Sequence, residues 1–192
     1  MPKKICDVYD PLLPTLLISI HKIYVKQILS GKKVIEYRKK FFNDPFQAFV
    51  YTTGKNGGIE MFIKCDAPII DNAHKLATIG ETIQHDNYGD IFDYFKEKNT
   101  GYIIPIIEVY QFKKVDLQYL RTELPSFVVP QKYLFLDRQD KQNLLNLLLQ
   151  QVCSNKLINN WDFYFKQAKK CIDSINDLSL IHISEPTRPE PI

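Results

Sequence analysis

Short β-prone apolar segments separated by turn signals fill the first 136 residues, and this pattern constrains the fold more than any other sequence feature. Residues 48–53 and 59–65 flank the glycine-rich stretch 54–58, which predicts a β-hairpin. Other segments with strand character lie at residues 16–20, 33–39, 102–112 and 130–136. Several short strands with few helices between them favour a mainly antiparallel sheet that closes into a small barrel.

Helical periodicity is confined to a few places in the chain. Residues 23–29 have apolar side chains at helical spacing and are followed by Ser30-Gly31, a typical helix end, and residues 90–98 form a second short pattern. After Leu136 a leucine-rich segment and an amphipathic segment follow each other up to about residue 175. We therefore predict an α+β fold: a barrel with flanking helices and a C-terminal appendage of two helices.

The chain divides into three parts by composition and pattern. We predict a barrel domain over residues 1–136 and the helical appendage over residues 137–177. Residues 178–192 resemble an in-frame translation of a sequencing adapter, with the match running from Leu178 to Arg188. Such segments are left out of fold reasoning. We expect this tail to be foreign to the protein and the natural sequence to be missing beyond about Asp177.

The composition and charge of the chain allow a nucleic-acid partner, and its sequence disfavours a membrane partner. Hydrophobic residues make up 45% and charged residues 24% of the 192 residues, as in ordinary globular proteins. The formal net charge of +3 allows a nucleic-acid partner without requiring one. Neither a signal peptide nor an apolar run of about 20 residues stands out. We expect a cytoplasmic protein with no membrane partner.

The cysteines and histidines do not have the spacing of a metal site. Cys6, Cys65, Cys153 and Cys171 are scattered and form no CxxC pair, which disfavours both a disulfide framework and a zinc site. The histidines show no ligand spacing either. We predict reduced thiols, no metal and no cofactor.

The segment Gly31-Lys32-Lys33-Val34-Ile35-Glu36-Tyr37-Arg38 is the strongest candidate for a functional site. Glu36 and Arg38 lie two residues apart on a predicted strand, so their side chains share one face. Lys33 precedes the strand, and its side chain can reach the same face. A carboxylate can accept a hydrogen bond from the N4 amino group of cytosine, and an arginine suits phosphate or base edges. The alternative is a surface salt bridge without function.

This segment resembles the motif G-x-K-x-x-E-x-R of the ASCH family, within the PUA-like superfamily, at Gly31, Lys33, Glu36 and Arg38. The similarity extends over residues 16–136 and implies a small PUA-like barrel whose cleft, lined by the motif, binds RNA. Some members of the family are amidohydrolases that remove the acetyl group from N4-acetylcytidine, and ribonuclease activity also occurs in it. The chain is therefore expected to bind RNA or a modified nucleoside.

Two positions depart from the family pattern. Many relatives have Lys-Pro where this chain has His21-Lys22, so we place His21 among the candidate binding residues. The deacetylating members have a threonine at the position of Glu36 and a glutamate in a later segment, for which a loose alignment offers Asp86 or Glu81. If the chain is an enzyme, Lys33 would be the nucleophile or base and Glu36 the proton shuttle.

Tyr51 is the aromatic residue that we expect in the pocket, where it would stack on a base. Three functions thus remain open: an RNA- or nucleoside-binding module, an amidohydrolase acting on an acylated cytidine (less favoured, a ribonuclease), and a transcription-linked regulator. In the last case the C-terminal helices would contact DNA or protein. These helices could also bind a protein partner in the first two cases, with Trp161 as the anchor.

Overall fold

A computed structural model describes residues 3–183 of the chain. In this part of the chain the strands are β1 (Thr15–His21), β2 (Ile35–Arg38), β3 (Phe46–Thr53), β4 (Gly58–Cys65), β5 (Ile69–Asp71), β6 (Gly101–Asp116), β7 (Tyr133–Phe135) and β8 (Cys153–Ile158). The α-helices are α1 (Lys22–Leu29), α2 (Ala73–Gln84), α3 (Tyr88–Phe95), α4 (Leu117–Glu123), α5 (Gln142–Leu149) and α6 (Trp161–Ile183). Part of the predicted adapter tail, residues 184–192, lies outside the described residues.

The strands form one curled sheet in the order β2-β6-β4-β3-β1-β7, and β5 and β8 also pair with β6. β1 and β3 run parallel, whereas every other pairing among the described strands is antiparallel. β6 changes partners around Pro105: residues 101–105 pair with β2 and β5, and the residues that follow pair with β4 and β8. Pro105, which lacks a backbone N–H to donate, is therefore the point where the sheet divides.

The central strands are covered on both faces, which explains their nearly continuous apolar sequences. On β1 and β3, Leu17 and Phe49 belong to one buried cluster, while their neighbours Ile18 and Val50 belong to another on the opposite face. A third cluster packs β2 against α2, α3 and α6 and includes Ile35. The candidate motif lies at the edge of this third cluster, so the helices α2 and α3 decide what surrounds it.

The sequence predicted most of these elements but not all. The strand before the first helix, the helix itself, β2, the β3–β4 hairpin and β7 lie where the pattern placed them. α2, β5 and β8 were not predicted. α2 was missed although Ala73, Leu76, Ala77, Gly80 and Ile83 recur at helical spacing after the cap residue Asn72, because small residues make up much of this apolar face.

The C-terminal region contains a strand between its two helices. Residues 153–158 pair with β6 and so extend the barrel sheet. Leu144, Leu145 and Leu148 of α5 are buried in the first cluster, and Ala168 of α6 is buried in the third. Trp161 packs against the third cluster as well. The division of the chain at residue 136 stays a prediction.

The hydrogen bond that caps the N-terminus of α2 is expected to contribute to the stability of the protein. Asn72 accepts a hydrogen bond from the backbone N–H of Lys75 at 3.0 Å. Asn72→Ala is expected to lower the free energy of unfolding by about 1 kcal/mol. The melting temperature should fall by roughly 2–4 °C for a chain of this size. Asn72→Asp keeps an accepting oxygen and should melt close to the unmodified protein; equal melting of all three proteins in thermal unfolding would contradict the capping role.

Candidate functional site

The turn after α1 directs Lys33 toward β2. Gly31 has a φ of +74°, a left-handed conformation that favours glycine, and its N–H donates to the carbonyl of Ile28 at 3.0 Å. The N–H groups of Lys32 and Lys33 both donate to the carbonyl of Gln27. Gly31 thus has a structural role at the site: it reverses the chain so that Lys33 enters the third cluster from the end of the helix.

Lys33, Glu36 and Arg38 form one linked group of charges, as the spacing predicted. The Lys33 Nζ lies 3.3 Å from Glu36 Oε2, and Arg38 Nη2 lies 3.1 Å from Glu36 Oε1. The Lys33 side chain is only 5% exposed, and its Nζ lies over the rings of Tyr24 and Tyr37 at 5.1 and 4.9 Å. Burial to this extent distinguishes the group from a surface salt bridge, because a lysine is seldom buried unless it is paired.

Arg38 connects this group to β1 and to the opposite end of the sheet. Its Nη2 donates to the backbone carbonyl of Ser19 at 2.9 Å, and its guanidinium lies 6.0 Å from the centre of the Phe41 ring. The Ser19 hydroxyl donates in turn to the carbonyl of Pro130 at 2.6 Å. Arg38 is therefore held by contacts on several sides, and it orients the Glu36 carboxylate.

A tight turn between α2 and α3 brings a second carboxylate to the motif. His85 ends α2 in the left-handed conformation, and Asn87 caps α3 by accepting from the N–H of Asp90 at 3.0 Å. Asp86 lies between these two caps. Gln84, at the end of α2, accepts hydrogen bonds from the N–H groups of residues 34 and 35 and donates to Asp86 Oδ2 at 2.6 Å. The turn is thus attached directly to the beginning of β2.

Tyr37 completes the link between β2 and Asp86. Its hydroxyl donates to Asp86 Oδ2 at 2.7 Å. Burial raises the pKa of Tyr37 well above its usual value, and the hydrogen bond to Asp86 and the charges of Asp86 and Glu36 act in the same direction. The phenol therefore stays protonated at neutral pH and donates to the carboxylate. Asp86 Oδ1 has no hydrogen-bond partner among the groups that the structure describes, so it can accept from a ligand.

These residues surround a cavity of about 370 Å³ between α1, β2 and the α2–α3 turn. Its lining combines one lysine, three carboxylates, amides, three tyrosines and one isoleucine: Tyr24, Gln27, Lys33, Glu36, Tyr37, Gln84, Asp86, Asn87, Asp90, Ile91 and Tyr94. The volume lies in the range of small-molecule sites, roughly 300–1,000 Å³. Apolar walls with a few convergent polar groups are typical of such sites.

Three other predicted site residues are not among those that line this cavity. Tyr51 is buried in the first cluster, where its ring lies 6.3 Å from that of Phe127. His21 is exposed and caps α1 by accepting from the N–H of Ile23. Glu81, the second acid considered for the later segment, is also absent from the lining, whereas Asp86 is present. The structure brings together Lys33 and Glu36 with Asp86, and Arg38 behind them.

Solved structures of an ASCH protein from Zymomonas mobilis are similar to this chain. One has a TM-score of 0.60 and 21% sequence identity, and the match covers 71% of this chain and 96% of that chain. A tyrosine-to-phenylalanine variant and a serine-to-alanine variant of that protein each give a TM-score of 0.60 and 19% identity. The first match covers 70% of this chain and 97% of the variant, and the second covers 77% of this chain and 99% of the variant. The chain has the ASCH fold. No family model and no curated protein matches its sequence.

The ASCH fold confirms the predicted α+β architecture of PUA-like type. What the sequence analysis missed is that α2 and α3 supply one wall of the cavity, including Gln84, Asp90 and Tyr94. A signal for it exists in the sequence. Asn72 and Asn87 are both cap residues, and they mark the beginnings of two short helices whose junction carries Asp86.

Two further observations concern metals and membranes. Among the side chains that the structure describes, there is no group of three from histidine, cysteine or acidic residues arranged to hold a metal ion. No helix in the same part of the chain is both long and apolar enough to cross a bilayer.

Proposed function

We propose that the cavity beside β2 binds the base of a nucleoside, either within RNA or as a free modified nucleoside. The observation that carries this proposal is the pairing of a buried cationic donor, Lys33, with the carboxylates of Glu36 and Asp86 in one cavity of suitable size. Nucleobases have carbonyl oxygens next to amino or imino groups on the same edge. A site with both a fixed donor and fixed acceptors matches such an edge.

The balance of charge in the cavity favours a base over a phosphate. One lysine faces three carboxylates in the lining, those of Glu36, Asp86 and Asp90. An anion would be repelled by this surplus, whereas the exocyclic amino group of cytosine or adenine can donate to a carboxylate. Glu36 is already paired with two cations, so Asp86 Oδ1 is the acceptor that we assign to the ligand amino group.

Two tyrosines on α1 and α3 provide aromatic surface for the base. Tyr24 is 46% exposed and Tyr94 is 42% exposed, and both line the cavity. Stacking of one base on an aromatic side chain contributes about 1–3 kcal/mol in single-strand binding proteins. These rings take the role that the sequence analysis gave to Tyr51.

Calorimetric titration with cytidine and N4-acetylcytidine tests the proposal. The unmodified protein is expected to bind at least one of them, and Asp86→Asn should weaken binding by about tenfold. This loss follows because an amide oxygen replaces a charged acceptor. The amide can still accept from Tyr37, whose hydroxyl donates to Asp86 at 2.7 Å, so the fold should be kept.

Glu81→Gln is the matched control for this experiment. Glu81 is an exposed acid of α2 that does not line the cavity. Its replacement removes the same charge and should leave binding unchanged. If neither nucleoside binds the folded, unmodified protein, or if Glu81→Gln reduces binding as much as Asp86→Asn, the base-binding assignment is refuted.

A second candidate function is hydrolysis of an N4-acylated cytidine. The observation that favours it is that Lys33 and Asp86 line one cavity, because the resemblance requires a lysine and a later acid together. Hydrolysis would add water across the amide bond, releasing a carboxylic acid and leaving the amino group of cytidine. Glu36, 3.3 Å from Lys33 Nζ, would transfer a proton from the attacking water to the leaving nitrogen. Chromatography of N4-acetylcytidine incubated with the protein separates the two functions, because only the second releases cytidine.

A further inference from the structure

A second cavity, of about 510 Å³, lies beside β7, and we call it the basic groove. Four of its eight lining residues are cationic and three are aromatic: Lys40, Phe41, Lys132, Tyr133, Leu134, Phe135, Arg138 and Lys141. Two of the cations come from loops on either side of β7, one from the segment just after β2 and one from the turn before α5. None of the lining residues is acidic.

The charge of the basic groove is not neutralised by its neighbours. Lys141 pairs with Asp140 at 2.9 Å, but Lys40, Lys132 and Arg138 form no ion pair with any residue that the structure describes. The whole chain has a formal net charge of only +3. Positive charge is therefore concentrated at this groove, in contrast to the first cavity, whose lining is acidic.

Aromatic side chains form the floor between these cations. Tyr133 and Phe135 project from the same face of β7, with ring centres 5.8 Å apart, and the Tyr133 ring lies 4.9 Å from that of Phe41. Tyr133 and Phe135 are both partly exposed. A groove that combines cations for phosphates with aromatic rings for bases is typical of proteins that bind single-stranded nucleic acid.

Arg38 and Phe41 connect the basic groove with the nucleoside cavity. Glu36 lines the first cavity and pairs with Arg38 at 3.1 Å, and Arg38 lies over Phe41, which lines the basic groove. We propose that the basic groove binds the phosphate backbone of a single-stranded RNA, one of whose bases occupies the nucleoside cavity. The placement of that base rests on the function proposed above; the binding of the backbone does not.

The test measures binding of a fluorescein-labelled RNA octamer of cytidines at several salt concentrations. If four phosphates contact the groove, the logarithm of the association constant should fall with the logarithm of salt with a slope of about −2.8. Lys132→Gln combined with Arg138→Gln should reduce this slope to about −1.4 and weaken binding about 25-fold at 0.1 M salt. Calorimetric binding of free cytidine should stay unchanged, because neither residue lines the nucleoside cavity.

The matched control is Lys55→Gln combined with Lys169→Gln, which removes two exposed lysines that line neither cavity. It should keep the salt dependence of the unmodified protein. Equal slopes for both double variants would refute the proposal, and so would equally tight binding of a polyglutamate of similar charge. If the unmodified protein binds the RNA with the expected slopes but does not bind free cytidine, the nucleoside cavity is refuted and the basic groove is supported. Matched melting temperatures ensure that folded proteins are compared.

Discussion

Replacing Lys33 by methionine is expected to weaken binding of cytidine or N4-acetylcytidine by about 100-fold, which corresponds to roughly 2.7 kcal/mol. The reason is that Lys33 places a charged donor inside the cavity with its side chain only 5% exposed. Loss of a hydrogen bond to a charged group costs about 1.5–3 kcal/mol of binding free energy. If the protein hydrolyses N4-acetylcytidine, release of cytidine should be lost in the same variant. Titration calorimetry and chromatography measure the two effects.

The fold of this variant should survive, which keeps the experiment interpretable. Methionine has a similar length, and Glu36 retains Arg38 as a partner at 3.1 Å. Removing one member of a buried charged group is strongly destabilising when it leaves a charge unpaired, and here Glu36 stays paired with Arg38. Lys32→Met, at the exposed neighbouring position, is the control and should bind normally. Normal binding by folded Lys33→Met protein would refute the nucleoside site.

The motif itself could be predicted because its geometry is local. Two residues on one strand share a face whatever surrounds them, so Glu36 and Arg38 could be paired from sequence. Lys33 follows a helix that ends with Gly31, and this turn fixes the direction of the chain within a few residues. Neither inference depends on a contact between distant parts of the sequence.

The opposite wall of the cavity could be predicted only in part, because its position depends on long-range packing. Asp86 is held at the motif by contacts with residues about 50 positions earlier in the chain: Gln84, which donates to Asp86, accepts from the N–H groups that begin β2, and Tyr37 of β2 donates to Asp86. Long-range packing also explains why Tyr51, which was expected in the pocket, lies elsewhere. Its strand was predicted, but none of the residues that line the cavity belongs to β3, and Tyr51 is buried in the first cluster instead.

The run of basic residues around the motif shows why charge clusters in sequence are ambiguous. Lys33 is buried and paired with Glu36, Lys39 pairs with Glu97 at 3.5 Å on the surface, and Lys40 lines the basic groove. Residues close in sequence thus have three different environments. The concentration of positive charge beside β7 instead combines Lys40 with residues nearly 100 positions later, which no local pattern indicates.

Gly80→Ala is expected to lower both the stability of the protein and its affinity for nucleoside. Gly80 lies on α2, where an added Cβ would overlap the hydroxyl oxygen of Tyr37 and come within 2.5 Å of Ile91 Cδ1. Overpacking of this kind costs about 1–3 kcal/mol, against a gain of about 1 kcal/mol from helix propensity. The Tyr37 ring must move away, which breaks its hydrogen bond to Asp86. Thermal unfolding and nucleoside titration should therefore both report a loss.

Gly89→Ala is the matched control, because Gly89 is also within a helix but is exposed. An added Cβ there meets only Asn87 Oδ1, at 3.2 Å. Gly89 lies in the first turn of α3, where the helix-propensity gain is smaller, and the contact with the cap oxygen of Asn87 offsets part of it, so this variant should unfold within about 1 kcal/mol of the unmodified protein. The difference between the two variants reports the overlap of the added Cβ with Tyr37 and Ile91. If Gly80→Ala binds nucleoside normally, the Tyr37–Asp86 hydrogen bond does not position the acceptor, and Lys33 with Glu36 must account for recognition alone.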